Sequence, residues 1–277
     1  MLMMGTHPMG SFFQGQGEKI MDGENSDLKR RIREGWDLSA PGFTGVVVPV
    51  DLAEPRRSRW ADLIQSKSPS GRLKVLDVGC GPGVFSIIMA QAGHDVTGID
   101  VSEKMREEAA KNSAKFGVSP TFLVMDSDGM SFEDGAFDLV ISRDVMWVMP
   151  DPDKTMREWF RVLRSGGSLV YFDGAHPARG KDFDIRSEYS GQRNEYEREN
   201  GKSPPCSYKP EDFEKARGFK RDLPLTYVER PAWDVAAAAR AGFAEIRCEG
   251  ITEDLDVLPE AGNAGGFNRF RLSAVKP

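Results

Sequence analysis

The sequence predicts an α/β fold: a mostly parallel sheet of seven strands with helices on both faces. Three observations carry that expectation. Short apolar runs alternate with helical patterns from residue 73 to 173, the signature of strand–helix–strand units. The first run leads into "VLDVGCGPG" (75–83), where Gly79, Gly81 and Gly83 stand at alternate positions. A polar stretch at 174–230 then interrupts the rhythm, which resumes with one helix and two strands.

Taken in order, residues 1–25 are rich in Gly and Met and lack the basic-then-apolar order of a signal peptide, so a flexible tail is expected. Residues 26–70 are expected to form an N-terminal helical lid region. Within it, Ser26 or Asp27 caps a short helix that ends near Trp36, Gly45 and Pro49 break up "FTGVVVPV", and "EPRRSRWADLIQS" is a second helix. The main domain is expected over 71–277. Strand 73–78 precedes a helix at 84–92, and strand 95–100 precedes a helix at 102–116. Ser102 suits the N-cap of that helix, and Glu103 in its first turn favours the dipole. Strands 121–126 and 136–142 follow. Asp151 caps the next helix with Pro152 at the first position, where no amide hydrogen is needed. That helix is expected to stop at Gly166-Gly167, giving way to strand 168–173. "AWDVAAAARAG" reads as a helix, and "FAEIRCEG" and "NRFRLSAV" as the last two strands.

The insertion at 174–230 carries Tyr189, Tyr196, Tyr208 and several prolines. A loop of that length inside a compact domain is usually functional, so it is expected to cap a substrate site. A hydrophobic fraction of 39% supports a core, and a net charge of -6 weighs against nucleic acid as the main partner. The basic run "KRRIR" (29–33) is expected as a solvated helix face. Cys80, Cys206 and Cys248 show neither metal-site spacing nor a disulfide framework, which suits a cytoplasmic protein without a bound metal. No run approaches the ~20 apolar residues of a membrane helix, so no membrane association is expected.

The glycine loop narrows the ligand. A dinucleotide turn is G-x-G-x-x-G, whereas here the third glycine falls one place early, and the lysine of a P-loop is absent. Asp77, two residues before Gly79, would repel a pyrophosphate. It suits a ligand whose nearby part is cationic, such as an ammonium or a sulfonium.

With "LDVGCGPG", "VTGIDVSEKM", "VMDSDGMSFEDGAFDLVISRD" and "REWFRVLRSGGSLVYFD" in this order, the chain resembles the class I S-adenosylmethionine-dependent methyltransferases, which have a Rossmann-like fold. The resemblance covers 73–173 closely and the terminal strands more loosely. It implies S-adenosylmethionine as cofactor and, in the absence of a nucleic-acid motif or a basic appended domain, a small-molecule methyl acceptor. It also implies roles for particular residues. Asp77, Gly79, Cys80 and Gly81 would face the methionine part and ribose, and Asp100 the ribose hydroxyls. Val101 and Met105 would pack on adenine, with Met125, Asp126 and Ser127 at its edge. Arg143, with Asp144 beside it, follows strand four at the methionine end, and Trp36 would close over from the lid. His176, just past strand five, is the candidate general base. Taken singly, Asp100 also suits a helix cap, Asp126 a turn, and Trp147 either a pocket wall or the core. A nicotinamide-dependent oxidoreductase and a non-catalytic cofactor-binding interaction module are the alternative functions.

Overall fold

The computed structural model describes residues 14–175, 212–251 and 268–277, with positions 184, 198 and 201 between them; side chains are described from Asn25 onward. Strands β1 (Lys74–Val78), β2 (Asp95–Asp100), β3 (Thr121–Val124), β4 (Phe137–Arg143) and β5 (Leu163–Ala175) are parallel. Helices α3 (Val84–Gln91), α4 (Glu103–Lys115) and α5 (Pro152–Val162) return the chain between them. After α7 (Ala232–Ala241), strands β6 (Ala244–Ile251) and β7 (Asn268–Val275) complete the sheet, β7 lying antiparallel to both β5 and β6. The order is β3-β2-β1-β4-β5-β7-β6. The chain runs outward from β1 to β3, then crosses back to β4. The loops leaving β1 and β4 therefore diverge and open a crevice at the carboxyl edge.

Alternation along the strands fills both faces. Val75, Leu139, Ile141, Val170 and Phe172 pack with α3 and with Trp60 and Ile64 of α2 (Arg56–Gln65). Leu76, Val78, Val140, Leu169 and Tyr171 pack with Trp159, Ala237 and Phe243 on the other face. Two expected caps are in place: Ser102 Oγ accepts from Met105 N (3.0 Å) and Asp151 from Lys154 N (2.9 Å). The expected cap at Ser26 or Asp27 is not, since both lie inside α1 (Gln14–Asp51), and α7 ends at Gly242 with φ +103°.

Two expectations need correction. Helix α1 runs from Gln14 to Asp51, so it includes residues 14–25 of the expected tail and continues well past Trp36, through Pro41 and Pro49. Each proline removes a backbone donor, but Ala40, Val47, Val48 and Leu52 bury themselves along this segment. Burial of that stripe outweighs the local preference to break. The second correction concerns Gly166-Gly167, which do not stop α5. That helix ends at Val162 with Leu163 already extended, and the glycines sit in β5 where its register against β4 shifts. Gly166 (φ +73°) donates to Lys276 O (2.8 Å), tying the irregular segment to the end of the chain.

The described part of the insertion folds onto α1. It comprises α6 (Phe213–Arg217) and 3-10 turns at Gly218–Asp222 and Pro224–Tyr227. Phe219 and Leu223 join Leu28 and Ile32 in one apolar cluster. Gly35 permits this approach, since a Cβ there would lie 2.7 Å from the Phe219 ring. Among the described residues no helix is long and apolar enough to cross a membrane.

Candidate functional site

The crevice is floored by the turn after β1. Its backbone is pinned by Cys80 N to Ile99 O (2.9 Å) and Gly83 N to Cys80 O (2.9 Å). Gly79 and Gly81 have φ of +63° and +51°, a left-handed conformation that L side chains rarely adopt. Their surroundings differ. A Cβ on Gly79 would lie 2.3 Å from Val145 Cγ2, whereas one on Gly81 would meet nothing within 4 Å. Gly81 thus presents bare backbone to the cavity.

Three carboxylates stand at or just past the ends of β1, β2 and β3. Asp77 accepts from Ser86 Oγ (2.6 Å), and burial pushes its carboxyl up to about 7 despite that bond and the nearby Arg143. Asp100 accepts from Gly81 N and Ser102 N, each at 2.9 Å. Burial raises it to about 6, with these amides pulling the other way. Asp126 lies beside Lys29 of α1 (2.9 Å), which also reaches Asp128 (2.6 Å). Each carboxylate oxygen has two acceptor positions, so Asp100 can receive further donors while it holds the turn. Cys80 is buried, and desolvation raises its thiol well above the ordinary value, which leaves it a neutral thiol and no nucleophile.

The opposite wall is built from α1, the chain after β4, the insertion and β7. Arg143 lies with its guanidinium 5.4 Å from the Trp60 ring centroid and 5.0 Å from that of Phe85, and is paired with the buried Asp51 at the end of α1. Asp144 adopts φ +58° and pairs with Arg269 (2.6 Å), while its carbonyl accepts from Trp147 Nε1 (2.9 Å). Asp173 accepts from Trp147 N (3.2 Å) and Gly174 N (2.8 Å) and faces the buried Arg230 (3.0 Å). Burial still lifts its carboxyl to about 6.

One cavity brings together Trp36, Asp77, Gly79, Cys80, Gly81, Asp100, Val101, Met105, Met125, Asp126, Ser127 and Arg143, all twelve residues expected at a cofactor site. Trp36 reaches it from α1, edge-on to Phe43 (5.8 Å). Ser127 Oγ lies 2.9 Å from Met149 Sδ. His176 lies outside the described residues, as does most of the insertion. Lys29, Asp51, Arg217, Lys220 and Arg269 were not singled out from sequence. The run "KRRIR" is not wholly the solvated face its sequence suggests, since its first member, Lys29, points to Asp126 and Asp128. Among the described residues, no group of three potential metal-ligating side chains converges. The arrangement suits an elongated ligand that carries several donors or a cation along the carboxylates and lays an apolar plane against Val101, Met105 and Met125.

A methyltransferase-domain model matches residues 76–171. The ubiquinone biosynthesis O-methyltransferase of Ralstonia nicotianae is 34% identical over 155 residues, 56% of this chain and 61% of that protein. The protein of the same name from Bordetella avium is 35% identical over 124 residues, 44% of this chain and 51% of that one. The chain therefore spans only about half to three-fifths of these relatives. Among solved structures, the cyclase SpnF superposes with a TM-score of 0.54 at 21% identity, covering 79% of this chain and 81% of that one. That likeness shows the fold, and one fold hosts many reactions.

Proposed function

We infer that this chain, which belongs to the class I S-adenosylmethionine-dependent methyltransferases through its domain at 76–171, transfers a methyl group to a small-molecule acceptor by in-line displacement. One observation carries the reading: Asp100 Oδ2 holds the open Gly81 amide within the cavity. A carboxylate tied to a bare glycine backbone fits a ribose edge, and its remaining lone pairs can accept the two hydroxyls. Val101, Met105 and Met125 would pack on adenine, with Asp126 and Ser127 at its edge. Asp77 and the Gly79 backbone would face the methionine end, and Trp36 would cover the site from α1.

When bound, S-adenosylmethionine supplies a methyl group on a cationic sulfur. Displacement there consumes charge, so the chain's task is alignment in a dry pocket more than acid–base work. Phe85, Val145 and Leu225 line the crevice with apolar surface, which would help to keep water from the reacting groups. For a hydroxyl acceptor, we assign the proton to His176, which directly follows the last residue of β5. Residues 174–230 would supply the acceptor cap, of which α6 and the two 3-10 turns are the described part.

The Asp100 carboxyl gives a pH signature. It must be ionised to accept ribose hydroxyls well, and its value of about 6 means that a proton is displaced as the ligand binds at lower pH. S-adenosylhomocysteine should therefore bind about tenfold more weakly at about pH 5 than at about pH 7.5. Titrations across that range check this, and Asp100→Asn should reduce the dependence, leaving the part that comes from Asp77, whose carboxyl is raised by burial to about 7.

Methyl transfer itself is tested by incubating the chain with methyl-labelled S-adenosylmethionine and a panel of phenols, amines, thiols and acids. Label in a small-molecule product, with matching release of S-adenosylhomocysteine, is the expected result. No release above background with any acceptor, on protein that binds the cofactor, would favour the non-catalytic module.

A further inference from the structure

Strand alternation brings a carboxylate and a guanidinium to one place. Asp77 follows Val75 in β1 and Arg143 follows Ile141 in β4, so both point to the face that packs on α3. Both line the cavity. Each bonds elsewhere: Asp77 accepts from Ser86 Oγ (2.6 Å), and Arg143 donates to Asp51. An α-amino acid end, with one charge of each sign, matches such a pair.

Asp51, the last residue of α1, is fully buried and is not itself among the cavity-lining residues. Its Oδ1 accepts from Trp60 Nε1 (3.0 Å) and lies 3.6 Å from Arg56 Nε, while its Oδ2 accepts from Arg143 Nη1. Among the described residues it is the one carboxylate in ion-pair reach of either guanidinium. Arg56 Nε and Nη2 are buried with no hydrogen-bond partner there. Guanidiniums stay charged, so a single carboxylate stands between two cations. Arg143 also lies on rings that are themselves braced, since Trp60 and Phe85 stand edge-on to Phe172 (5.2 and 5.5 Å). A guanidinium held by a carboxylate and by ring faces loses little freedom on meeting a ligand. Among the described residues no further hydrogen bond engages Arg143. Its Nε and Nη2 donors remain, the edge that forks onto a carboxylate.

We propose that Asp51 is a positioning residue: from the end of α1 it sets Arg143 to fork onto the carboxylate at the amino-acid end of the cofactor. The proposal rests on the S-adenosylmethionine reading, but it is tested without turnover. S-adenosylhomocysteine and 5′-methylthioadenosine are titrated into the full chain by calorimetry; the second shares the nucleoside and thioether but lacks the amino-acid end. Wild type should bind S-adenosylhomocysteine at least ~10-fold more tightly. Arg143→Gln should lose most of that preference and Asp51→Asn at least ~3-fold of it, with 5′-methylthioadenosine bound within about twofold of wild type in both. Melting temperatures show which variants are folded. If Asp51→Asn does not fold, Trp60→Phe keeps a ring in place, removes a hydrogen bond to Asp51 and should lower the preference by about twofold or more. Equal wild-type affinities for the two ligands overturn the proposal, and so does a preference unchanged in Arg143→Gln. A preference lost there but intact in folded Asp51→Asn, or in Trp60→Phe in its place, overturns the positioning role. Equal weakening of both ligands in the variants reduces the cluster to a brace for the fold. Benzoate is titrated as well: if its affinity falls in Arg143→Gln while the preference stays, Arg143 serves an acceptor carboxylate and the proposal is overturned. Wild-type protein that binds neither nucleoside would count against the S-adenosylmethionine reading itself, and the proposal would fall with it.

Discussion

Replacing Asp234 by Ala is expected to lower the unfolding free energy by about 3–5 kcal/mol, the usual consequence of stranding a buried charge. Asp234 and Arg230 are both fully buried. Asp234 Oδ1 accepts from Tyr171 Oη (2.6 Å), and Oδ2 from Arg230 Nε (2.9 Å). Without Asp234, the buried guanidinium keeps Asp173 as its one carboxylate partner among the described residues, and a buried phenol loses its acceptor. The damage should reach the cavity, because Asp173 lines it and relies on Arg230. Thermal or urea melts check the prediction. Asp153→Ala, which removes the exposed pair with Arg240 (2.7 Å), should hardly move the midpoint, because exposed pairs contribute little. If Asp234→Ala does not fold, Asp234→Asn keeps hydrogen-bonding capacity and should fall between the two.

Asp100→Ala should weaken binding of S-adenosylhomocysteine by about 2–3 kcal/mol, since hydroxyls taken out of water would lose a charged acceptor. The fold should persist. A carboxyl raised by burial to about 6 stabilises the fold below its unfolded value of ~3.9, and that contribution is lost as the pH rises through the folded value. At neutral pH the ionised group is therefore a burden on the fold, against which the variant loses two backbone hydrogen bonds. Titration of wild type and variant at one pH reads the difference. Equal affinities would reduce Asp100 to a clasp for the Gly81 and Ser102 amides.

The sheet was legible because its strands are short apolar runs separated by clear stop signals. "LKVLDV" before the glycines and "DVTGID" before Ser102 became β1 and β2 within a residue of expectation. The glycine loop was legible because its spacing is local. Helix α1 was not, because Pro41 and Pro49 argue for a break that only burial against distant segments can override. The partners of the site charges were also hidden. Lys29 meets Asp128 across 99 positions, and Arg143 meets Asp51 across 92. Nothing in "KRRIR" or "VPVD" signals those pairs. Arg217 and Lys220 lay in an insertion read only as polar cover, with no periodicity to say which side chains turn inward.

Calorimetric titration of the full chain with S-adenosylhomocysteine, with NAD as comparator, tests the central claim most directly. Saturable binding of S-adenosylhomocysteine at micromolar strength or tighter, about −8 kcal/mol, is expected, with no comparable binding of NAD. Folded protein that gives no heat with S-adenosylhomocysteine, or that binds NAD more tightly, would contradict it.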